Sequence, residues 1–313
     1  MTDGLLDAST VRRWAAQAGL RPSKRRGQNF VIDANTVRRI VQAAEIGPDD
    51  VVLEIGPGLG SLTVGLLGPA AAVVAVEIEP VLAQRLPQAM AERRPDRADR
   101  LTVLEADALD LTDLPGPPPT QLVANLPYNV AVPVLLHALA RFPSLRAGLI
   151  MVQLEVAERL TARPGSKVYG VPSAKLAWQA QASRLGPVPA SVFWPRPQVE
   201  SGLVRLRRQP PPETTASRSE VFAVIDAAFA QRRKMLRSAL SARWPQPQVE
   251  AALAQAGVDP TARGETLDVT AYARLAAALG PSRNGSPGRD RSLDDPQLSD
   301  RAVAPHDTPK QRS

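Results

Sequence analysis

Cysteine is absent from the 313 residues, which excludes a disulfide scaffold, a thiolate zinc site and a cysteine nucleophile together. Histidine is nearly as scarce. With only His137 and His306, a histidine-based metal centre is not expected, and His137 reads as a helix residue near the core. No apolar run approaches the roughly 18–20 residues of a membrane span, and the N-terminal stretch carries acids without the apolar core of a leader peptide. These absences point to a cytoplasmic protein whose chemistry rests on carboxylates, amides, hydroxyls and rings.

What is present is an ordinary globular composition, 44% hydrophobic, with 38 basic residues against 31 acidic ones and a net charge of +7. The length suits two domains of about 100–200 residues each. The positive charge is unevenly spread. Arg12, Arg13, Arg21, Lys24, Arg25, Arg26, Arg38 and Arg39 are offset by Asp33 alone, and Arg232, Arg233, Lys234 and Arg237 form a second cluster. Such clusters suit phosphate backbones, where each neutralised phosphate releases counterions.

Residues 1–45 read as two helical segments, the second capped by Asp33 ahead of Val37, Ile40, Val41 and Ala44. Five short apolar runs follow, at 51–55, 73–76, 101–104, 121–124 and 148–152, separated by stretches long enough for helices. That alternation predicts a parallel sheet covered on both faces, an α/β fold. The span from Gly186 to Arg207 is β-leaning and proline-rich, and suggests a hairpin at one end of the sheet. Gln209 to Glu213, with three consecutive prolines, reads as a stiff linker. Beyond it Phe222, Ile225, Phe229, Leu236 and Leu240 fall on one helical stripe, and a small helical bundle is expected. The predicted organisation is an N-terminal helical and basic segment (1–45), a catalytic domain (46–208), a helical RNA-binding domain (213–280) and a tail (281–313) too poor in aliphatic residues to fold.

Glu54 to Thr63, Glu-Ile-Gly-Pro-Gly-Leu-Gly-Ser-Leu-Thr, lies where the first strand should turn into a helix. Its glycines let the backbone approach a ligand, and Glu77, twenty-one residues after Gly56, ends the next strand where a carboxylate can accept from ribose hydroxyls. The Gly-x-Gly-x-Gly spacing is not the dinucleotide fingerprint, and Glu54 suits a cationic cofactor better than a pyrophosphate. With Asp107 after the third strand, positioned to accept from an adenine amine, the pattern points to S-adenosylmethionine. Asn125-Leu126-Pro127-Tyr128 then follows the fourth strand. An exocyclic purine amine is a poor nucleophile because its lone pair is delocalised into the ring. The Asn125 oxygen and the Leu126 carbonyl can both accept from that amine and favour a tetrahedral nitrogen, while Tyr128 offers a face to an extruded base.

These motifs, with Lys24 to Phe30, Tyr169-Gly170, Phe193 to Ser201 and Ala228 to Lys234, resemble the KsgA/RsmA family of bacterial small-subunit ribosomal RNA adenine dimethyltransferases from about Lys24 to Leu279. The resemblance implies a Rossmann-like class I methyltransferase domain with a small C-terminal helical domain. It implies dimethylation of two adjacent adenosines in a hairpin near the RNA 3′ end and a role in small-subunit assembly. By motif position, Asn29 and Val31 would meet the methionine end of the cofactor, Gly56 the turn, Glu77 the ribose and Asp107 the adenine. Asn125, Leu126 and Tyr128 would hold the target base, with Phe193 packed on its other side. Arg232, Arg233, Lys234 and Arg237 are expected to grip RNA phosphates, and the small-subunit RNA and assembling subunit are the expected partners of a monomer. Arg26, Glu200 and Met235 depart mildly from the family pattern. Two alternatives are a large-subunit RNA adenine methylase of the macrolide-resistance type and an assembly factor that mainly binds RNA.

Overall fold

The computed structural model describes residues 4–20 and 28–281. Arg21, Lys24, Arg25 and Arg26 of the first basic cluster, and the tail expected to be unfolded beyond Pro281, lie outside the described residues.

The chain begins with helix α1 (Ala8–Gln17), a two-residue strand β1 (Phe30–Val31) and helix α2 (Ala34–Ala44). Asp33 caps α2 as expected, its carboxylate accepting from the Thr36 amide at 2.7 Å. Then come β2 (Val51–Ile55), α3 (Ser61–Leu66), β3 (Ala72–Glu77), α4 (Pro80–Arg93), β4 (Leu101–Glu105), β5 (Gln121–Asn125), α5 (Ala131–Arg141) and β6 (Ala147–Gln153). After α6 (Leu154–Leu160) and α7 (Val171–Leu176) the strands β7 (Ala180–Val188), β8 (Phe193–Trp194) and β9 (Ser201–Arg208) complete the first part of the chain. The last part is helical, with α8 (Arg218–Ala230), α9 (Leu236–Leu240), α10 (Gln246–Ala256) and α11 (Val269–Leu279).

Seven strands form one sheet in the order β4-β3-β2-β5-β6-β9-β7. The first five are parallel, and β9 runs antiparallel between β6 and β7. Successive side chains of a strand point to opposite faces, and here each face has its own core. Val52, Val73, Val123 and Leu149 pack beneath α1 to α4 with Trp14, Ile40 and Leu86, so the N-terminal segment shares the core of the sheet. Leu53, Leu122, Ile150 and Val204 pack on the other face with Leu135, Leu139 and Leu160. Each fully buried aliphatic side chain stabilises by about 1.5–3 kcal/mol, which explains why near-continuous apolar runs were needed in these strands.

The strand order reverses between β2 and β5. A crevice opens there, at the carboxyl ends of the parallel strands, and this is where such sheets bind ligands.

The helical part has a third core, built on Phe222, Ile225, Leu240, Trp244, Leu253 and Tyr272. Tyr169, Ala174 and Trp178 belong to it although they precede the proline linker. Lys175, itself buried, ties α7 to α8 through an ion pair with Asp226 at 2.8 Å. The single stripe from Phe222 to Leu240 corrects to two helices: Gln231 leaves helical dihedrals, and the Leu236 amide bonds to the Ala262 carbonyl at 2.8 Å instead of continuing the ladder. Trp178 and Trp244 are both buried packing residues, and His137 lies in α5 with its ring Nε2 hydrogen bonded to the Leu111 carbonyl at 2.9 Å.

Candidate active site

The glycine turn after β2 holds a conformation that side chains resist. Gly56, Gly58 and Gly60 all have positive φ, between 58° and 84°, and a Cβ on Gly58 would meet the Phe30 ring at 2.8 Å. The turn is pinned by the Gly56 amide to the Val76 carbonyl at 2.9 Å and by the Gly60 amide to the Pro57 carbonyl at 2.9 Å. Glu77 then fastens the turn to the end of β3. One carboxylate oxygen accepts from Gly58 N–H at 2.9 Å and the other from Glu79 N–H at 3.0 Å.

This turn forms one wall of a cavity of about 530 Å³, a volume ordinary for small-molecule sites. Asn29, Val31, Gly56, Glu77, Asp107 and Asn125, six residues singled out by sequence, all line it. So do Gln28, Ser61, Ile78, Leu109 and Asn129, to which sequence reasoning gave no role. Ile78 carried a usable signal, being an apolar residue straight after the strand-end acid, and it stands 63% exposed at the cavity.

Two carboxylates face this cavity from a dry setting. Burial pushes the Glu54 carboxyl up to about 8, and the neighbouring charge of Glu77 adds to the rise. Burial likewise raises Glu77 to about 7, although the Gly58 and Ile78 amides oppose it. Glu54 Oε2 and Ser61 Oγ are buried with no hydrogen-bond partner among the described residues. An acidic oxygen left unpaired beside a cavity is suited to a ligand that brings positive charge and donors. Asp107 presents a further carboxylate, oriented by the Leu109 amide to its Oδ1 at 2.9 Å.

Asn125 ends β5 at the switch point. Its Nδ2 donates to the Asn29 carbonyl at 2.9 Å, which fixes the amide and leaves Oδ1 as the face available for accepting. The Leu126 side chain is buried in the core, and its amide donates to the Met151 carbonyl at 3.0 Å, anchoring the backbone that carries the Leu126 carbonyl. Tyr128 is partly buried and, like Leu126, is not among the residues lining the cavity; its phenol shares a 2.9 Å hydrogen bond with Ser201 Oγ at the start of β9. Ser201 is fully buried and was not foreseen.

Phe193, expected to pack against the target base, pairs with Val31 across β1 and β8, is 2% exposed in the core and, like Leu126 and Tyr128, does not line the cavity. Its neighbour Trp194 stacks on Phe30 instead, with ring centroids 6.4 Å apart. Arg232, Arg233, Lys234 and Arg237 are exposed, the first three in the turn between α8 and α9. Of these four, Arg232 makes a side-chain bond among the described residues, to the Lys167 carbonyl at 2.6 Å. Among the described residues no cluster of His, Asp and Glu could hold a metal ion, and no helix is long and apolar enough to cross a membrane.

A family model described as ribosomal RNA adenine dimethylase matches residues 20–279. The chain belongs to the ribosomal RNA adenine dimethylase family. This dimethylase is 62% identical over 273 residues to the ribosomal RNA small subunit methyltransferase A of Thermobifida fusca, covering 87% of the chain and 95% of that relative. It is 61% identical over 276 residues to the protein of the same name from Streptomyces coelicolor, covering 88% and 96%. Among solved structures, a 23S rRNA methyltransferase, ErmE, matches 80% of the dimethylase and 99% of its own chain with a TM-score of 0.60 and 28% identity. A dimethyladenosine transferase from Plasmodium falciparum shares the fold, with a TM-score of 0.67 at 22% identity over 79% of the dimethylase and 95% of its own chain. The dimethylase is thus an α/β methyltransferase with a Rossmann-like sheet.

Proposed function

We propose that this dimethylase transfers two methyl groups to the exocyclic amine of each of two adjacent adenosines in the 3′-terminal hairpin of small-subunit ribosomal RNA, acting in the cytoplasm on the assembling subunit. The observation that carries the proposal is the junction of Asn125 with the cavity. A fixed amide oxygen at the end of β5 adjoins a cavity whose walls include the carboxylates of Glu54, Glu77 and Asp107.

S-adenosylmethionine is the donor that suits this cavity, and when bound it supplies an electrophilic methyl group on a sulfonium centre. Glu77 would accept from ribose hydroxyls and Asp107 from the adenine amine, with Ile78 against the flat ring; that all three line the cavity supports the reading. Glu54, when ionised, would contribute negative charge near a cationic ligand. Asn29, just before β1, and Val31 in it line the cavity and would meet the methionine end of the cofactor. The target amine would donate to Asn125 Oδ1 and the Leu126 carbonyl, which draws its lone pair out of conjugation and toward the methyl. Tyr128, its phenol anchored by Ser201, would support the extruded base. No strong base is required, because the amine becomes acidic only after methylation. In this reading residues 46–208, with Asn29 and Val31 of the preceding segment, serve catalysis, and residues 213–280, with Arg232, Arg233, Lys234 and Arg237, grip RNA.

The test is tritium transfer from labelled S-adenosylmethionine to small ribosomal subunits from a strain lacking this gene, followed by nucleoside analysis. Label in dimethyladenosine of the small-subunit RNA is expected. Label confined to large-subunit RNA would assign the resistance-type activity instead, and no transfer to any RNA would favour the assembly-factor role.

A further inference from the structure

A second cavity, of about 480 Å³, lies at the other end of the sheet. Arg146 immediately precedes β6 and Arg208 closes β9, and the Arg208 amide donates to the Arg146 carbonyl at 2.9 Å. Because β6 is parallel to β5, this is the amino end of the parallel strands. The seven residues of β6 put it about 20 Å from the crevice that Asn125 borders. Trp178 and Gln179 form another wall, Pro210 and Pro211 of the linker a third, and Arg218 reaches it from the first turn of α8.

Three guanidinium groups therefore share one cavity whose lining contains no carboxylate. Arg146 is held by Asp50 at 2.8 Å yet keeps 71% of its side chain exposed. Asp50 also accepts from Thr120, Gly47 and Gln121; burial opposes its ionised form, but these donors with Arg146 lower its carboxyl to about 2. Arg208 Nη1 donates to the Leu139 and Phe142 carbonyls at 3.1 and 3.4 Å, which aims the guanidinium from the end of α5. Arg218 stacks on the Phe222 ring with its guanidinium 4.3 Å from the centroid. Gln179 is 6% exposed, and its Nε2 has no hydrogen-bond partner among the described residues. Gathered like charges and an unspent buried donor are both relieved by an anion. Trp178 is only 6% exposed, so no stacking face is offered to a base, and recognition here would be of backbone alone.

We infer that this cavity is a second RNA-backbone site, in which Arg146, Arg208, Arg218 and the Gln179 amide receive one or two phosphates of an RNA segment outside the methylated hairpin. The inference rests on the RNA substrate proposed above. It makes the seam between sheet and helical lobe a ruler that registers RNA about 20 Å from the reacting base.

The experiment measures how binding of full-length small-subunit RNA and of the isolated 3′ hairpin depends on salt, for the full chain and for R146Q/R218Q, with circular dichroism and the unfolding midpoint certifying the fold. On the long RNA the variant should lower the slope of log K against log salt by about one to two, and on the hairpin it should change nothing. R218E, which leaves the Asp50–Arg146 pair intact, should act in the same direction and decides the matter if the double variant misfolds. An unchanged slope on the long RNA overturns the site. An equal drop on the hairpin overturns its placement outside the methylated segment. Binding of inorganic pyrophosphate that the variants lose, with the RNA slope unchanged, assigns the cavity to free phosphates and overturns the RNA reading. A wild-type chain that methylates no small-subunit RNA defeats the proposed function, whereas the slope comparison reads the second site separately.

Discussion

The cofactor crevice and the basic turn between α8 and α9 are built on opposite plans. In the crevice, the carboxylate of Glu77 and the amide of Asn125 are each held by backbone groups within 3.0 Å, at the ends of buried strands. In the basic turn, Arg232, Arg233, Lys234 and Arg237 stand exposed, and the set is tied down among the described residues by a single bond from Arg232 to a carbonyl. Methyl transfer needs atoms fixed to a fraction of an ångström, whereas a polyanion is held by charge density over many geometries. Rigid support should therefore be costly to remove in the first region and nearly irrelevant in the second.

The sharpest way to break that contrast is Asn125→Ala. It removes the acceptor for the target amine, and methyl transfer should fall by about 10²-fold or more, read as kcat in the tritium assay. A loss below tenfold would mean that the Leu126 carbonyl suffices alone. Glu77→Ala comes next: it deletes the acceptor of two backbone amides as well as a ribose contact, and calorimetry should show cofactor affinity weakened by about 10–100-fold.

Replacing Arg232, Arg233 and Lys234 by Ala should leave cofactor affinity untouched and lower the salt slope of RNA binding by about two to three. A changed cofactor affinity would show that the turn is coupled to the crevice. Ser201→Ala is a smaller perturbation, because only the phenol of Tyr128 loses its partner. About a 3–10-fold drop in kcat is expected, with the Ser201→Thr variant rescuing part of it if the hydroxyl is what matters.

The finest effect is one of pH. Glu54 and Glu77 ionise with difficulty in the folded chain, at about 8 and about 7 against an ordinary value of 4.5. Between those limits the folded state binds more protons at these two groups than the unfolded one, so their contribution to stability is fully present below about 4.5 and is lost as pH rises through 7 to 8. Denaturant midpoints measured across that window should decline, and Glu54→Gln should flatten the decline. Cofactor affinity should move the other way, rising with pH as the two carboxylates acquire the charge a cation prefers.

Much of the fold could be read directly from the chain. Four of the five apolar runs became β2, β3, β5 and β6 because a strand buried on both faces admits no polar alternation, the fifth became the partly exposed edge strand β4, and Asp33 capped α2 because its short carboxylate fits an amide at the helix start. Of the six cavity-lining residues from Asn29 to Asn125, Gly56, Glu77, Asp107 and Asn125 were legible because they sit at or just after strand ends or in the glycine turn, whereas Asn29 and Val31 came from the family resemblance. The α8–α9 break was not legible, since the apolar spacing across it still suits one helix and only the Ala262 carbonyl, from a distant part of the chain, draws the Leu236 amide away.

Sequence by itself determined the period of each element, the order of the strands' ligand-bearing ends and the residue types that chemistry on an amine requires, because these depend on neighbours along the chain. Tertiary structure alone decided that Ser201 would anchor Tyr128, that Asn29 would aim Asn125, that Phe193 of β8 would be buried against β1, and that Arg146, Arg208 and Arg218 would share a cavity. The first two pairings join residues 73 and 96 positions apart, and the others depend on strand register and on how the helical lobe meets the sheet. A contact of that kind has no local signature, since packing rather than propensity brings its partners together.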